Sequence, residues 1–354
     1  MQQSRCTTSH LLFVLLSIEL VTSSVQQEQQ QRTTSKNEEN ESDNRLTTKF
    51  RAMTFNIWVC GSQVNGGLDL IAHHVHWIDP DVVAFEEVRD YTCFLEIAYR
   101  LGAEWNGVHH NSTYPDTAIF TKWPVYEMTR AQTDWATGLK LLYPILGVGY
   151  VNVTVWAAHL QYTSYGPYAA CNKLCSDAWQ LRAGELSLGD DDAEGRVQNV
   201  RYILANKQFQ SSLSTADEVE PLLVMGDFNV PSHEDWLEST KEAHCNWTFA
   251  WPPVKILVDK GRLTDSYRSV HPDPRKQPGI TWSTVTKYSD AGWGRLIAEP
   301  QDRIDFIFYR SQRLTVADSF VYHGTDYIYQ KPNHRSNRWP SDHSAVVTDF
   351  LVKC

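Results

Sequence analysis

An α/β fold, with two sheets or one large sheet layered against helices, is predicted by three features of this 354-residue chain. Strand-like apolar runs recur from about residue 50 onward, several nearly continuous, as strands covered on both faces require. Amphipathic helical patterns stand between some of them. No second linker or internal repeat interrupts the chain after residue 48, so a single domain is expected over 48–354. Hydrophobic residues make up 42% of the chain, with 13 Trp and 16 Tyr, enough for a sizeable core. Lys and Arg number 32 against 42 Asp and Glu, a net charge of −10 that excludes a highly basic nucleic-acid-coating protein. No apolar run approaches the roughly 18–20 residues a bilayer span needs, which excludes an integral membrane segment in the mature chain.

Taken in order, the chain opens with Arg5, an apolar run at 11–16 and the small residues Thr22, Ser23 and Ser24. That order describes a secretory signal peptide over 1–24. Residues 25–47 are almost wholly polar and cannot bury enough surface to offset ordering entropy, so they read as a disordered linker. Strands are then expected at 50–58, 81–86, 117–121, 150–159, 222–226, 280–285, 304–309, 315–322 and 345–352. Helices are expected at 68–78, 93–101, 197–213 and 234–240. Residues 161–195 fit neither pattern. They read as a long loop carrying Tyr162, Tyr165, Tyr168 and Trp179, and a loop of that length is more often functional than filler.

Once Cys6 leaves with the signal, six cysteines remain: Cys60, Cys93, Cys171, Cys175, Cys245 and Cys354. An even set behind a signal peptide suggests disulfides, with fifteen pairings open and Cys171–Cys175 closing a short polar loop as one of them. None of the spacings is a zinc pattern. Four sequons, at Asn40, Asn111, Asn152 and Asn246, support export and glycosylation. The expected location is extracellular.

Polar and acidic residues stand where the apolar runs end: Asn56, the pair Glu86–Glu87, His159, Asp227 and Asn229, Asp302 and Asp305, and Asp342–His343. Singly, each has a bland reading as a turn former or solvated rim. Together they do not, because clustered carboxylates repel one another unless a cation or proton neutralises them. Several strand ends bearing acids, amides and two histidines fit one hard-cation site built from oxygen ligands.

In this order the motifs Thr54-Phe-Asn56, Phe85-Glu-Glu87-Val88, 118–124 (AIFTKWP), His159-Leu160, Gly226-Asp-Phe-Asn229, Arg303-Ile-Asp305-Phe306 and Ser341-Asp-His343 resemble the endonuclease/exonuclease/phosphatase superfamily. That superfamily includes DNase I-like and exonuclease III-like nucleases, inositol-polyphosphate 5-phosphatases and neutral sphingomyelinases. The resemblance spans about residues 50–354. It implies a four-layer α/β sandwich, two mixed β-sheets face to face and flanked by helices.

The same resemblance implies roles. Glu87 would be the principal Mg2+ ligand, with Asn56 beside the metal and Asp342 binding it or a second ion; Mn2+ is an alternative cofactor. Asp227 and Asn229 would orient the attacking water and the phosphate. His343, paired with Asp305, would be general base or phosphate-polarising group, so Asp227 and His343 compete for the role of base. His159 would contact the phosphate or serve the leaving group. Some positions depart from the family pattern. Glu86 stands where Gln is usual, and strand alternation would turn its side chain to the opposite face. Asp302 rivals Asp305 as the histidine's partner, the Arg-Ile-Asp-Phe pattern favouring Asp305. Tyr114 and Asp116 replace the usual approach to the 117–121 strand.

The implied activity is hydrolysis of a phosphodiester or phosphomonoester by in-line attack of water. The acidic charge favours small organic or lipid-headgroup phosphates over polymeric DNA. The aromatic 161–195 segment could stack on a base, touch a lipid surface transiently or simply pack over the fold, and residues 292–296 (GWGRL) form a second candidate surface loop. A DNase-like endonuclease, using Arg196, Arg201, Arg335 and Arg338 along its cleft, is the first alternative. A non-catalytic binding module retaining the fold is the second.

Overall fold

A computed structural model describes residues 47–110, 116–129, 135–145, 149–186, 195–288 and 297–353. The expected signal peptide, nearly all of the expected linker, Asn40, Asn111, Tyr114, the 292–296 loop and Cys354 lie outside the described residues.

Twelve described strands form two six-stranded mixed sheets. The first has the order β11 (Leu314–Tyr322), β12 (Ala345–Lys353), β1 (Thr47–Asn56), β2 (Val82–Glu86), β4 (Thr117–Thr121) and β3 (Asn106–His109). The second runs β5 (Val125–Thr129), β6 (Ala136–Ile145), β7 (Gly149–His159), β8 (Leu222–Asp227), β10 (Asp305–Arg310) and β9 (Thr264–Asp265). Alternation along each strand divides the core into layers. Ala52, Val82 and Ala84 of the first sheet meet Leu139, Val155, Ala157, Leu223 and Met225 of the second. Met53, Phe55, Val83 and Phe85 point the other way, onto the helices Gly67–Ile78 and Tyr91–Leu101. On the far side, Trp156, Val224 and Phe308 pack under the helices Arg196–Ala205, Lys207–Thr215 and Pro252–Gly261. The four-layer sandwich therefore follows from apolar runs buried on both faces.

Several local expectations are corrected. Residues 280–285 are not a ladder strand: Trp282 makes only isolated bridges to Asp302 and His343, because backbone N–H groups of this stretch reach two different loops, Thr281 and Trp282 bonding Asp302 and Thr284 bonding Asp342. Residues 234–240 are turns, since Asp235 is drawn inward by Arg268 and Arg303. The 197–213 pattern is two helices, split at Asn206, whose side chain accepts from Gln208 and Phe209 and so caps the second. Strands β3, β5 and β6 and the helix Pro252–Gly261 were not legible, the last being masked by Pro252-Pro253 at its first turn, where proline costs no hydrogen bond. The 161–195 segment contains two helices, Gly166–Cys171 and Ala178–Leu186. Cys171 bonds Cys245, not Cys175, and Cys60 bonds Cys93; Cys175 is a free thiol. No described helix is long and apolar enough to cross a membrane.

Candidate active site

Strand register assembles the site. β1 and β2 are parallel, and so are β7 and β8, so the ends of both pairs reach the same edge of their sheets; Asn56 faces Glu86 and His159 faces Asp227 across those ladders. β10 runs antiparallel to β8, which sets its first residue, Asp305, beside Asp227. Gly226 permits this close packing: its φ is +144°, and a Cβ there would lie 1.8 Å from the Ala158 carbonyl oxygen. Ser341 donates to the carbonyl of Asn56 at 2.6 Å and accepts from the His343 N–H, tying the segment before β12 to the end of β1.

Two histidine–carboxylate pairs converge on one oxygen. His343 donates from Nδ1 to Asp305 at 3.0 Å, and His159 donates from Nδ1 to Asp116 at 2.5 Å. Each places its Nε2 3.7 Å from Asp227 Oδ2, which also accepts from the Asn56 amide at 3.0 Å. Asp227 Oδ1 accepts from the Asn229 backbone at 2.7 Å, and the Asn229 side chain donates to the Leu160 carbonyl. One ligand atom from each of Asp227, Asp305 and His343 lies within 4.8 Å of the others.

Burial and mutual repulsion set the protonation states. Burial raises Asp227, and Asp305 raises it further against the opposing histidines. Burial alone would lower His159, but Asp116 and its hydrogen bond, with Asp227, outweigh this and hold it up at about 10. Burial is likewise overcome at His343, which Asp305 and Asp227 hold well above the usual imidazole range. Both rings are therefore held toward the cationic form, with each Nε2 facing Asp227 Oδ2. His159 Nε2 and Asp305 Oδ1 are buried without a hydrogen-bond partner.

Beside this cluster opens a cleft of about 280 Å3, lined among others by Trp58, Glu87, Asn229, Trp282, Asp342 and His343. Glu87 stands beyond the end of β2 in a left-handed conformation, φ 62°, and its carboxylate accepts from the Val59 N–H at 2.6 Å while Cys60 N–H bonds its carbonyl. The Cys60–Cys93 bond anchors that loop to the helix Tyr91–Leu101. Asp342 accepts from the Trp282 indole at 3.4 Å through Oδ2, while its Oδ1 is buried and unpartnered. An orphaned carboxylate oxygen beside a second carboxylate fits a hard divalent cation. Asn56 Oδ1 accepts from the Trp58 N–H, so this side chain spaces Glu87 from Asp227 and keeps one lone pair for a cation.

Glu86, Asp302 and Arg196 take the following places. Glu86 keeps to strand alternation: with Val82 and Ala84 it faces between the sheets, where its fully buried carboxyl accepts from Thr54 at 2.9 Å. Burial, with Asp305 nearby, pushes it well above the carboxylate range and favours its neutral form. Asp302 is not the histidine's partner; it accepts from Tyr165 and the Trp236 indole, both at 2.8 Å. Arg196 is no surface cation, being buried and paired with Glu185. Asp116 was missed as a partner of His159, because its only sequence signal was an acid preceding β4.

A family model described as "Endonuclease/Exonuclease/phosphatase family" matches residues 53–343. The uncharacterised protein F14F9.5 of Caenorhabditis elegans is 39% identical over 300 residues, 85% of this chain and 90% of that protein. Among solved structures, an endonuclease/exonuclease/phosphatase family protein from Bacteroides thetaiotaomicron aligns over 87% of this chain and 99% of its own with a TM-score of 0.53 at 14% identity. A mannosyl-6-phosphatase from the same species covers 85% of this chain and 99% of its own, with a TM-score of 0.52 and 14% identity. At that identity both are likenesses of fold.

Proposed function

From the premise that this chain belongs to the endonuclease/exonuclease/phosphatase family, we propose that it is a divalent-metal-dependent phosphoester hydrolase acting on small organic or lipid-headgroup phosphates. The observation carrying this reading is the convergence of two cationic histidines, each 3.7 Å from one oxygen of a buried aspartate, at the edge of a cleft that also holds Glu87 and Asp342.

In this reading Glu87 and Asp342, with Asn56, hold Mg2+ or Mn2+, which when bound neutralises charge on the phosphoryl oxygens. His159 and His343 donate from Nε2 to the same phosphate, their positions held by Asp116 and Asp305. Asn229 orients Asp227, whose raised affinity for a proton suits it to take one from water. The water oxygen forms a bond to phosphorus, the bond to the esterified alcohol breaks, and an imidazolium returns a proton to the leaving oxygen. Asp227 is thereby favoured over His343 as base, because a histidine already protonated cannot accept a second proton. Burial of Arg196 weakens the endonuclease alternative by removing one of its cleft cations. The Cys60–Cys93 and Cys171–Cys245 bonds support passage through an oxidising compartment, in keeping with a signal peptide at 1–24, a linker at 25–47, a catalytic domain over 48–354 and a secreted glycoprotein.

The test is hydrolysis of bis-p-nitrophenyl phosphate and p-nitrophenyl phosphate with Mg2+, Mn2+ or EDTA. Turnover that requires metal, and that falls about 10²–10⁴-fold in Asp227→Asn and His343→Ala, is expected. Turnover unaffected by either substitution overturns the assignment. Calorimetric Mn2+ titration of wild type and Glu87→Gln checks the metal ligand apart from activity, with weaker binding expected in the variant.

A further inference from the structure

The reacting cleft does not end at its tyrosines. A larger, mostly apolar cavity of about 560 Å3 adjoins it, lined among others by Tyr165, Tyr168, Ala169, Leu174, Leu181 and Gly184. Tyr162, Tyr165 and Tyr168 line both spaces, which sets the two side by side along the same rings.

The chemistry of the walls narrows what that molecule is. Tyr165 donates its hydroxyl to Asp302 and Tyr168 donates its own to Glu299, at 2.8 and 2.5 Å, so these rings offer carbon faces. The buried Arg196 guanidinium takes the carbonyls of Gln161, Thr163 and Ser164, at 2.9, 2.8 and 2.9 Å, removing backbone acceptors that a sugar or base would use. Gln180 spends its carbonyl on the Ser176 and Asp177 N–H groups. Among the described residues, no charged side chain lines the cavity. The wall is also rigidly built: Arg196 is itself held by Glu185, and Cys171–Cys245 ties down the helix Gly166–Cys171. Leu174, Trp179 and Leu186 stand exposed on the same segment, lengthening its apolar surface outward.

We propose that this groove holds the hydrocarbon portion of the substrate, making the physiological substrate a lipid phosphoester whose phosphate sits at Asp227 and His343 and whose chain lies along residues 162–184. This deepens the hydrolase reading and rests on it.

The test uses p-nitrophenyl alkyl phosphates, with chains from ethyl to decyl, below their aggregation concentrations. Burial of each methylene predicts a rise in kcat/KM of roughly three- to fourfold per carbon until the groove is filled. Gly184→Leu is the blocking variant: Gly184 lines the groove, and a Cβ there meets no atom within 4 Å, so the added side chain enters open space. It is expected to flatten the chain-length dependence while leaving turnover of the ethyl ester and of bis-p-nitrophenyl phosphate unchanged. Ala169→Leu, at a second lining position, gives the same readout should Gly184→Leu fold poorly. Metal-dependent turnover of bis-p-nitrophenyl phosphate with no chain-length dependence in the wild type overturns the groove assignment alone, as does a preference for nucleoside or sugar esters over alkyl esters. Absence of any metal-dependent turnover overturns the hydrolase reading itself.

Discussion

Two buried charge clusters sit in this sandwich, and they differ in what they leave unsatisfied. In the first, Arg303 bonds Asp235 through Nε and Asp265 through Nη1, at 3.0 and 2.6 Å, while Arg268 also bonds Asp235 and spends its remaining donors on the carbonyls of His271, Gln277 and Pro278. Asp265 caps the helix Ser266–Val270 through Tyr267 and Arg268 N–H. Among the described residues, none of these four has a buried side-chain polar atom without a partner. The second cluster, Asp227, Asp305, His159, His343 and Glu86, holds more carboxyls than cations and leaves Asp305 Oδ1, His159 Nε2 and Glu86 Oε2 unpartnered. A saturated cluster holds the fold together. An unsaturated one, with His343 on the wall of a cleft, is arranged for something that arrives later.

Removing groups from each cluster should give opposite signatures. The largest effect is on rate: Asp227→Asn should cost about 10²–10⁴ in kcat/KM toward bis-p-nitrophenyl phosphate. Its Tm should stay the same or rise, since a repelled buried carboxylate is gone; a large fall in Tm would break the distinction. Next, Asp235→Ala should destabilise the fold by about 3–5 kcal/mol, because two buried guanidinium groups lose their shared partner. Denaturant melts measure this, and activity per folded molecule should be nearly unchanged.

The third effect is on pH dependence. His159 is raised from 6.5 to about 10 in the folded state, so its contribution to stability is fully present below pH 6.5 and is lost as pH rises through about 10. Asp116, lowered by its histidine partner against the burial that raises it, acts in the other direction: its contribution is lost as pH falls through its depressed folded value. Melts from pH 6 to 10 should show stability declining with alkali, and His159→Asn should flatten that decline. The smallest effect is expected at Glu86. Because the carboxyl is held neutral, Glu86→Gln keeps its shape and its acceptor for Thr54, and stability at pH 7 should stay within about 1 kcal/mol of wild type or rise. A loss of several kcal/mol would mean that Glu86 is ionised.

Much of the second cluster, and of the cleft beside it, was legible before the fold was known. Asn56, Glu87, His159, Asp227, Asn229, Asp305, Asp342 and His343 each interrupt or flank an apolar run, and a polar group at such a position is conspicuous on a single strand. The first cluster was not distinguishable from it. Arg303 and Asp305 are two residues apart on one apolar run, yet Arg303 turns to Asp235 and Asp265 while Asp305 turns to His343. Asp116 went unread because its partner is 43 residues away, and the tyrosine wall read as loop because its hydroxyls are consumed by Asp302 and Glu299, more than 130 residues along the chain.

By itself, then, the sequence determined the layered α/β class, the strand ends at which polar chemistry gathers and the family whose ordered motifs they form. Only the tertiary structure decided which aspartate holds which histidine, which cysteines join, and that an apolar groove adjoins the cleft. The physical reason is range. Hydrophobic alternation and strand termination are set by neighbours a few residues apart, whereas the partner of a buried charge is whatever the packing of two sheets brings within 3 Å, and here that partner is usually tens of residues distant.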